Sequence, residues 1–116
     1  MTKIESKSNA SWELFKIPLN NTTVLNIFTK AWKYRWGKIY SQEKFFTIIS
    51  GSVEVTVEIM DEDKKNTYLP WLIFNIPANV PNLFYFPEDC EMLEWFPKDV
   101  EVEKFERFRE MKIKSL

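Results

Sequence analysis

The chain of 116 residues contains no histidine, two glycines and one cysteine. Histidine is the commonest side-chain metal ligand and the usual general base near neutral pH, so its absence removes the most frequent route to both chemistries. The single Cys90 excludes an intramolecular disulfide, and a zinc site built from cysteine and histidine is excluded with it. The two glycines indicate that few positions need a positive φ angle.

Strong charge and long apolar segments are also missing. The net charge is −1, which argues against a broad nucleic-acid surface. The longest apolar stretch, near residues 71–74, is far too short to span a bilayer, and the polar N-terminus lacks the apolar segment of a signal peptide. We therefore expect one cytoplasmic domain with no nucleic-acid or membrane partner.

Short strands separated by turns are predicted throughout residues 32–96. The clearest is 53–60, where valine and isoleucine alternate with polar residues, as in a half-buried strand. In the segment 32–40, period two predicts one inward face and places Lys33 and Arg35 on the other. The predicted inward residues are Trp32, Tyr34, Trp36, Lys38 and Tyr40.

The two ends of the chain differ from this pattern. Residues 1–10 are predicted to be a flexible tail, 11–99 the β domain, and 100–116 a terminal segment with an amphipathic helix over about 100–112, capped by Asp99. The apolar stripe of this helix must be buried on its own domain or across a two-fold axis. With Trp12, Phe15 and Trp71 as further apolar surface, we expect a homodimer. The stripe comprises Val102, Phe105, Phe108 and Met111.

The order of the motifs resembles the cupin superfamily. A polar turn leads into 45–51, then come the valine-rich strand, an acidic hairpin and the turn Ile76-Pro77-Ala78-Asn79-Val80-Pro81-Asn82. The first cupin motif ends with an acid, six residues and a glycine, and the second centres on Pro-x-Gly-x-x-His. Gly51 and Pro77 match. The resemblance implies an all-β fold, an antiparallel cupin-type β-barrel (double-stranded β-helix or jelly roll), here with a short C-terminal α-helix.

The departures from the family pattern fall on its metal ligands. Lysine is a cation at neutral pH, so two lysines facing one pocket would repel a metal ion. The resemblance therefore predicts a degenerate cupin with no metal and no cofactor. By alignment, Lys44 stands at the metal-binding glutamate, Lys38 and Tyr40 near the two histidines, Asn82 at the third histidine, Asn79 at the glycine and Phe86 at the usual asparagine.

Two groups of residues are candidates for ligand binding. Cationic and hydrogen-bonding side chains at the barrel mouth would suit a carboxylate or a phosphate, unless the lysines are simply solvated residues beside a loop. Aromatic side chains could line a cavity or could instead fill the barrel. The first group is Lys38, Tyr40, Lys44 and Asn82, and the second includes Tyr34, Trp36 and Phe84.

The function favoured by the sequence is non-catalytic. We expect a metal-free small-molecule-binding module, or a structural or regulatory one. The alternative is a metal-independent isomerase or epimerase acting on a sugar-type or carboxylated small molecule, with Glu94 or Glu43 as base and Tyr40 as acid. The favoured interpretation of Glu94 itself is a residue that faces solvent beside Glu91 on an irregular edge. No residue is assigned as catalytic, and Cys90 is interpreted as a small strand residue.

Overall fold

A computed structural model describes residues 5–8, 12–19, 22–97 and 100–114. The chain forms eleven strands and one helix over these residues. In chain order they are β1 Glu5–Ser8, β2 Trp12–Leu19, β3 Thr22–Thr29, β4 Lys33–Tyr40, β5 Lys44–Ser50, β6 Val53–Ile59, β7 Glu62–Tyr68, β8 Ile73–Ile76, β9 Asn82–Phe86, β10 Cys90–Pro97, β11 Val102–Lys104 and α1 Glu106–Lys114.

The strands form two antiparallel sheets. The six-stranded sheet has the order β1-β2-β3-β10-β5-β8, and the five-stranded sheet has the order β11-β4-β9-β6-β7. Among the described residues, the two sheets are not joined edge to edge into a closed barrel. They form a jelly roll with one short C-terminal helix, so the predicted fold class is confirmed.

The core lies between the two sheets and follows the alternation read from the sequence. On β6, Val53 and Val55 are buried, and Val55 is the cross-strand partner of Phe84 on β9. The ring of Phe46 on β5 lies 5.0 Å from that of Phe84 across the gap between the sheets. Cross-strand partners share a face of a sheet, so the inner faces of β6 and β9 are defined by these pairs.

A β-bulge in β4 makes part of the predicted inward face of residues 32–40 wrong. The pairing with β9 shifts between Trp36 and Lys38, where Trp36 and Gly37 have φ angles of 73° and 78°. As a result, Arg35 stands opposite the buried Phe84 and faces inward, not outward as predicted. The prediction was also wrong for Trp32, which is 74% exposed in the turn before the strand.

Positive φ angles are not confined to the glycines, contrary to the expectation from composition. Gly51 has a φ of 84°, and a Cβ there would overlap the carbonyl oxygen of Asp89, so this turn requires glycine. Asn79, at the position aligned with the second-motif glycine, has a φ of 64°. Asparagine tolerates this conformation better than most residues. Other residues with positive φ include Trp32, Trp36, Met60, Asp61 and Trp71.

Both ends differ from the prediction. Glu5–Ser8 pairs with β2 as an edge strand, so these four residues are not a flexible tail. Val102–Lys104 pairs with β4, and the helix begins only at Glu106. The predicted cap Asp99 and the side chain of Met111 lie outside the described residues.

Helix α1 packs on its own chain. Phe108 is fully buried, and a Cβ on Gly37 of β4 would contact Phe108 and Arg109. Arg107 pairs with Asp63 of β7 and Glu58 of β6, which lie on the face opposite the buried valines. The helix therefore covers the outer face of the five-stranded sheet. Within the described ranges, no helix has the length and apolar character needed to span a bilayer.

Candidate functional site

A buried ion pair links two adjacent strands of the six-stranded sheet, β10 and β5. Glu94 on β10 is the cross-strand partner of Phe46 on β5, and Lys44 lies two residues before Phe46 on the same face. The ammonium of Lys44 contacts the carboxylate of Glu94, and the two side chains are 3% and 1% exposed. Neither residue is solvated, so the interpretation of Lys44 as a surface lysine and of Glu94 as a solvent-facing residue was wrong.

Aromatic rings surround the ammonium of Lys44. Its Nζ lies 3.4 Å from the centroid of the Tyr40 ring, and 5.7 Å from that of Trp36. Phe46 and Phe96 contribute further rings at 5.6 and 5.3 Å. Burial lowers the pKa of Lys44, while the carboxylate of Glu94 opposes this effect. The cation is thus held by one carboxylate and by ring faces, in place of water.

Arg35 brings a second cation inside, which sequence reasoning missed because the bulge reversed its face. Its guanidinium carbon lies 4.6 Å from the ring centroid of Trp12 on β2 and 4.5 Å from that of Trp36. Burial lowers the pKa of Arg35 to about 10, opposed by the charge of Glu94. Its Nη1 is buried and has no hydrogen-bond partner among the described residues.

The hydrogen bonding of this interior is incomplete. Apart from the contact with Lys44, neither carboxylate oxygen of Glu94 has a hydrogen-bond donor among the described residues. Buried polar groups are normally paired, because an unpaired one costs about 1–3 kcal/mol. The site therefore contains a hydrogen-bond donor without an acceptor, Arg35 Nη1, and a carboxylate, that of Glu94, with no donor other than Lys44. The two groups are close enough for the charge of Glu94 to raise the pKa of Arg35.

Lys38 and Asn82 adjoin the same interior. They are cross-strand partners on β4 and β9, and Asn82 is 2% exposed. Asn82 donates one long hydrogen bond, 3.5 Å, to the carbonyl oxygen of Val80. Burial and the neighbouring charge of Arg35 lower the pKa of the half-buried Lys38. The structure therefore brings Lys38, Tyr40, Lys44 and Asn82 to one interior, although their role in binding stays a prediction.

The aromatic candidates are divided between core and surface. Phe84 is fully buried, and its ring centroid lies 4.3 Å from that of the buried Trp36. These two rings fill the space between the sheets. Tyr34 is half-buried on the other face of β4, where its ring lies 4.7 Å from that of Tyr85. Tyr34, Trp36 and Phe84 do not line one cavity.

A cleft of about 190 Å³ opens beside the ion pair instead. Leu25 in its wall is the cross-strand partner of Glu94, and Phe96 is the ring 5.3 Å from Lys44 Nζ. No sequence pattern indicates this cleft, because its shape depends on how β1, β2 and β3 pair. Its lining residues are Lys7, Leu14, Lys16, Leu25 and Phe96.

Of the two remaining candidates, Glu43 lies away from this interior and Cys90 is chemically inert. Glu43 is exposed, and its carboxylate accepts a hydrogen bond of 2.6 Å from the side chain of Asn75. Cys90 is fully buried, and burial together with Glu88 and Glu91 raises the pKa of its thiol to about 12. A thiol with that pKa is not a nucleophile at neutral pH, in keeping with its interpretation as a structural residue.

Solved structures identify the fold. A deletion mutant of oxalate decarboxylase from Bacillus subtilis superposes with a TM-score of 0.78 at 14% identity, covering 87% of this chain and 30% of that chain. Vicilin from Corylus avellana (hazelnut) gives 0.75 at 12% identity, covering 85% and 33%. The chain has the cupin fold. It spans about a third or less of the length of these two proteins. No family model and no curated protein matches the sequence.

The donor set at the aligned cupin metal positions does not fit a metal ion. The aligned positions carry two ammonium groups, Lys38 and Lys44, the phenol of Tyr40 and the amide of Asn82. Burial raises the pKa of Tyr40 far above neutrality, so its phenol keeps its proton, and only the amide oxygen is a conventional ligand. Within the described ranges, no three carboxylate, thiol or imidazole side chains converge. The fixed positive charges buried at this interior are those of Lys44 and Arg35.

Proposed function

We propose that this chain is a metal-free cupin that binds a small organic anion in the cleft beside the buried pair of Lys44 and Glu94. The observation that carries the proposal is the buried guanidinium of Arg35, whose Nη1 has no hydrogen-bond partner among the described residues, beside the ion pair of Lys44 and Glu94. At the position where the resemblance places the metal-binding glutamate, the protein supplies a fixed cation of its own. A fixed cation can hold an anionic group without a metal.

Charge at this interior favours an anion. Lys44 and Glu94 neutralise each other, which leaves Arg35 and Lys38 as positive groups nearby. Their attraction for an anion is stronger in a partly dry site than in water, because the effective dielectric constant is lower. A carboxylate or phosphate oxygen is also a suitable acceptor for the unused Nη1 of Arg35.

The adjoining cleft favours an anion with an apolar body. Leu14, Leu25 and Phe96 provide apolar walls, and Lys7 and Lys16 add two exposed cations. At about 190 Å³ the cleft is smaller than the pockets of roughly 300–1,000 Å³ that take drug-sized molecules. An aromatic or branched aliphatic acid matches both the volume and the charge.

Three observations favour binding over an isomerase. Glu94 is held by Lys44, burial raises the pKa of Tyr40 far above neutrality, and Glu43 is bonded to Asn75 on the exposed side. A general base must reach its substrate, and a general acid must give up its proton near the working pH. Neither carboxylate meets the first condition as placed, and Tyr40 does not meet the second.

The metal-free part of the proposal is tested by elemental analysis of the purified protein. We expect iron, manganese, nickel and zinc each far below one equivalent per chain, before and after incubation with excess salt of each metal. Stoichiometric uptake of any of them, retained through desalting, would contradict the proposal. Lys44→Glu is the matched variant, because it restores an acid at the aligned position without adding histidine.

The ligand class is tested by thermal unfolding with benzoate and with benzyl alcohol, its uncharged analogue. We expect benzoate to raise the melting temperature, because a ligand at 100 times its dissociation constant adds about 2.7 kcal/mol. Lys16→Met, at the exposed rim, should weaken this effect, and Lys64→Met, on the exposed β7, should not. An equal response to the alcohol, or no response to either compound, counts against an anion site.

A further inference from the structure

Lys38 is a half-buried lysine without an acidic partner. It follows the bulge in β4, and its cross-strand partner on β9 is the buried Asn82. The other lysine of this interior, Lys44, contacts Glu94, whereas no carboxylate among the described residues lies within ion-pair distance of Lys38. Lysines are mostly exposed or, when buried, paired with an acid, so the surroundings of Lys38 are unusual.

The charged groups placed next to Lys38 by the fold are cations. Lys104 on β11 is its cross-strand partner on the side away from β9. Arg109 of α1 packs against the preceding residue, since a Cβ on Gly37 would lie 3.2 Å from its Cγ. Arg35 precedes the bulge on the same strand and faces the same interior. Three elements, β4, β11 and α1, thus bring positive charge to one amine.

These surroundings favour the neutral form of Lys38. Burial is the largest effect and lowers its pKa, because the desolvated ammonium loses its hydration. The three neighbouring cations lower the pKa further, and the carboxylate of Glu94 opposes them. Desolvation and a neighbouring cation are the two conditions that activate a lysine amine as a nucleophile. Lys38 meets both of them.

We propose that Lys38 is a reactive amine that forms a Schiff base with a small 2-oxo acid. The carbonyl group of such a compound reacts with the amine, and the adjacent carboxylate is attracted by the positive charge of Lys104 and Arg109. The residues that line the cleft beside Lys44 and Glu94 take no part in this reaction. The reactive amine is therefore a property separate from the proposed binding of an anion in the cleft.

The reaction is the formation of an imine. The nitrogen of Lys38 gives its electron pair to the carbonyl carbon, and one proton of the amine passes to the carbonyl oxygen, which yields a carbinolamine. The hydroxyl group and the second proton of the nitrogen then leave as water, and a carbon–nitrogen double bond forms. One amine and one ketone become one imine and one water, so neither an oxidant nor a reductant is needed.

The test is reductive trapping of the full chain with pyruvate and sodium cyanoborohydride at neutral pH, followed by peptide mass spectrometry. We expect Lys38 to be alkylated at least several-fold faster than Lys64 on the exposed β7, because more of Lys38 is free amine. In concentrated urea the two rates should become equal. Equal rates in the folded protein would overturn the proposal.

Acetone tests the substrate class, because it has the carbonyl group of pyruvate without the carboxylate. The preference for Lys38 over Lys64 should be larger with pyruvate than with acetone. The same preference with both compounds would overturn the assignment to a 2-oxo acid.

Lys104→Met separates activation from exposure. Loss of this cation should raise the pKa of Lys38 and slow its alkylation, whereas wider access alone would speed it. The pH at which alkylation is half-maximal should shift upward in the same variant. Lys65→Met, on the exposed β7, is the matched control and should leave the rate at Lys38 unchanged. An unchanged or faster rate in Lys104→Met would contradict the proposal, whatever the response to benzoate.

Discussion

Two of the carboxylate–cation pairs in this protein lie in opposite surroundings. Lys44 and Glu94 meet between the sheets with side chains 3% and 1% exposed, whereas Arg107 and Asp63 meet at the surface with side chains 46% and 39% exposed. The surface pair has the better geometry, with two parallel hydrogen bonds of 2.7 and 2.6 Å. The buried pair has no such bidentate arrangement and leaves polar atoms unused.

The comparison shows that good hydrogen-bond geometry in an ion pair does not by itself make the pair important for the stability of the fold. The surface pair is screened by water and salt, so its contribution to stability is small whatever its distances. The buried pair has lost its hydration, and a well-packed apolar replacement is often as stable or more stable. Stability alone does not explain charged residues at this interior, which is consistent with the proposed role in anion binding.

The largest expected effect comes from breaking the buried pair on one side. Lys44→Met removes the ammonium but keeps most of the volume, and it leaves the carboxylate of Glu94 buried without a partner. We expect a loss of about 3–5 kcal/mol in the free energy of unfolding, measured by urea denaturation. Lys64→Met, on the exposed β7, is the control and should change stability by about 0.5 kcal/mol or less. An equally small effect at Lys44 would show that water reaches the pair.

Replacement of both partners should reverse most of that loss. In Lys44→Met/Glu94→Leu the interior becomes apolar at both positions, and the double variant should unfold within about 1–2 kcal/mol of wild type, or be more stable. A double variant that is as unstable as Lys44→Met alone would mean that the pair is needed for folding.

The smallest expected effect belongs to the surface pair. Arg107 lowers the pKa of Asp63, chiefly through their hydrogen bonds, below the ordinary value of 3.8. The folded state therefore binds this proton less tightly than the unfolded state, so the stabilisation is present above pH 3.8 and is lost as the pH falls through the lower folded pKa. Asp63→Asn should remove this acid-dependent step from a series of melting temperatures between pH 2 and 6.

High salt should affect the surface pair and the buried pair differently. In 1 M sodium chloride the Debye length is about 3 Å, so the difference between wild type and Asp63→Asn should shrink. The difference between wild type and Lys44→Met should change little, because the buried pair has almost no contact with the salt solution. A strong salt dependence at Lys44 would contradict the burial on which the comparison depends.

Much of the fold was predictable from short-range pattern. The alternation from Val53 and the glycine at position 51 fix a strand and a turn, because a side chain at Gly51 would overlap Asp89. The candidate site was predicted only in part. Lys44, Tyr40 and Asn82 were found through the aligned motifs, but the burial of Glu94 and the inward face of Arg35 were not.

The missed features share a physical cause. A single bulge at Trp36 and Gly37 changes the face of the sheet on which every earlier residue of β4 lies. No local propensity predicts this bulge. The late start of α1 has a related cause, since Val102–Lys104 gains a strand partner in β4 that outweighs the helical spacing of the apolar residues.

The sequence by itself determined the class of this protein: an antiparallel β domain with the cupin order of motifs and without histidine. Alternation and turn residues act over a few positions, so they can be read without the fold. Only the tertiary structure decided that Lys44 meets Glu94, that Arg35 turns inward and that the uncharged β8 is a sheet edge. Those outcomes depend on the pairing of strands distant in sequence, which is set by packing of the whole core.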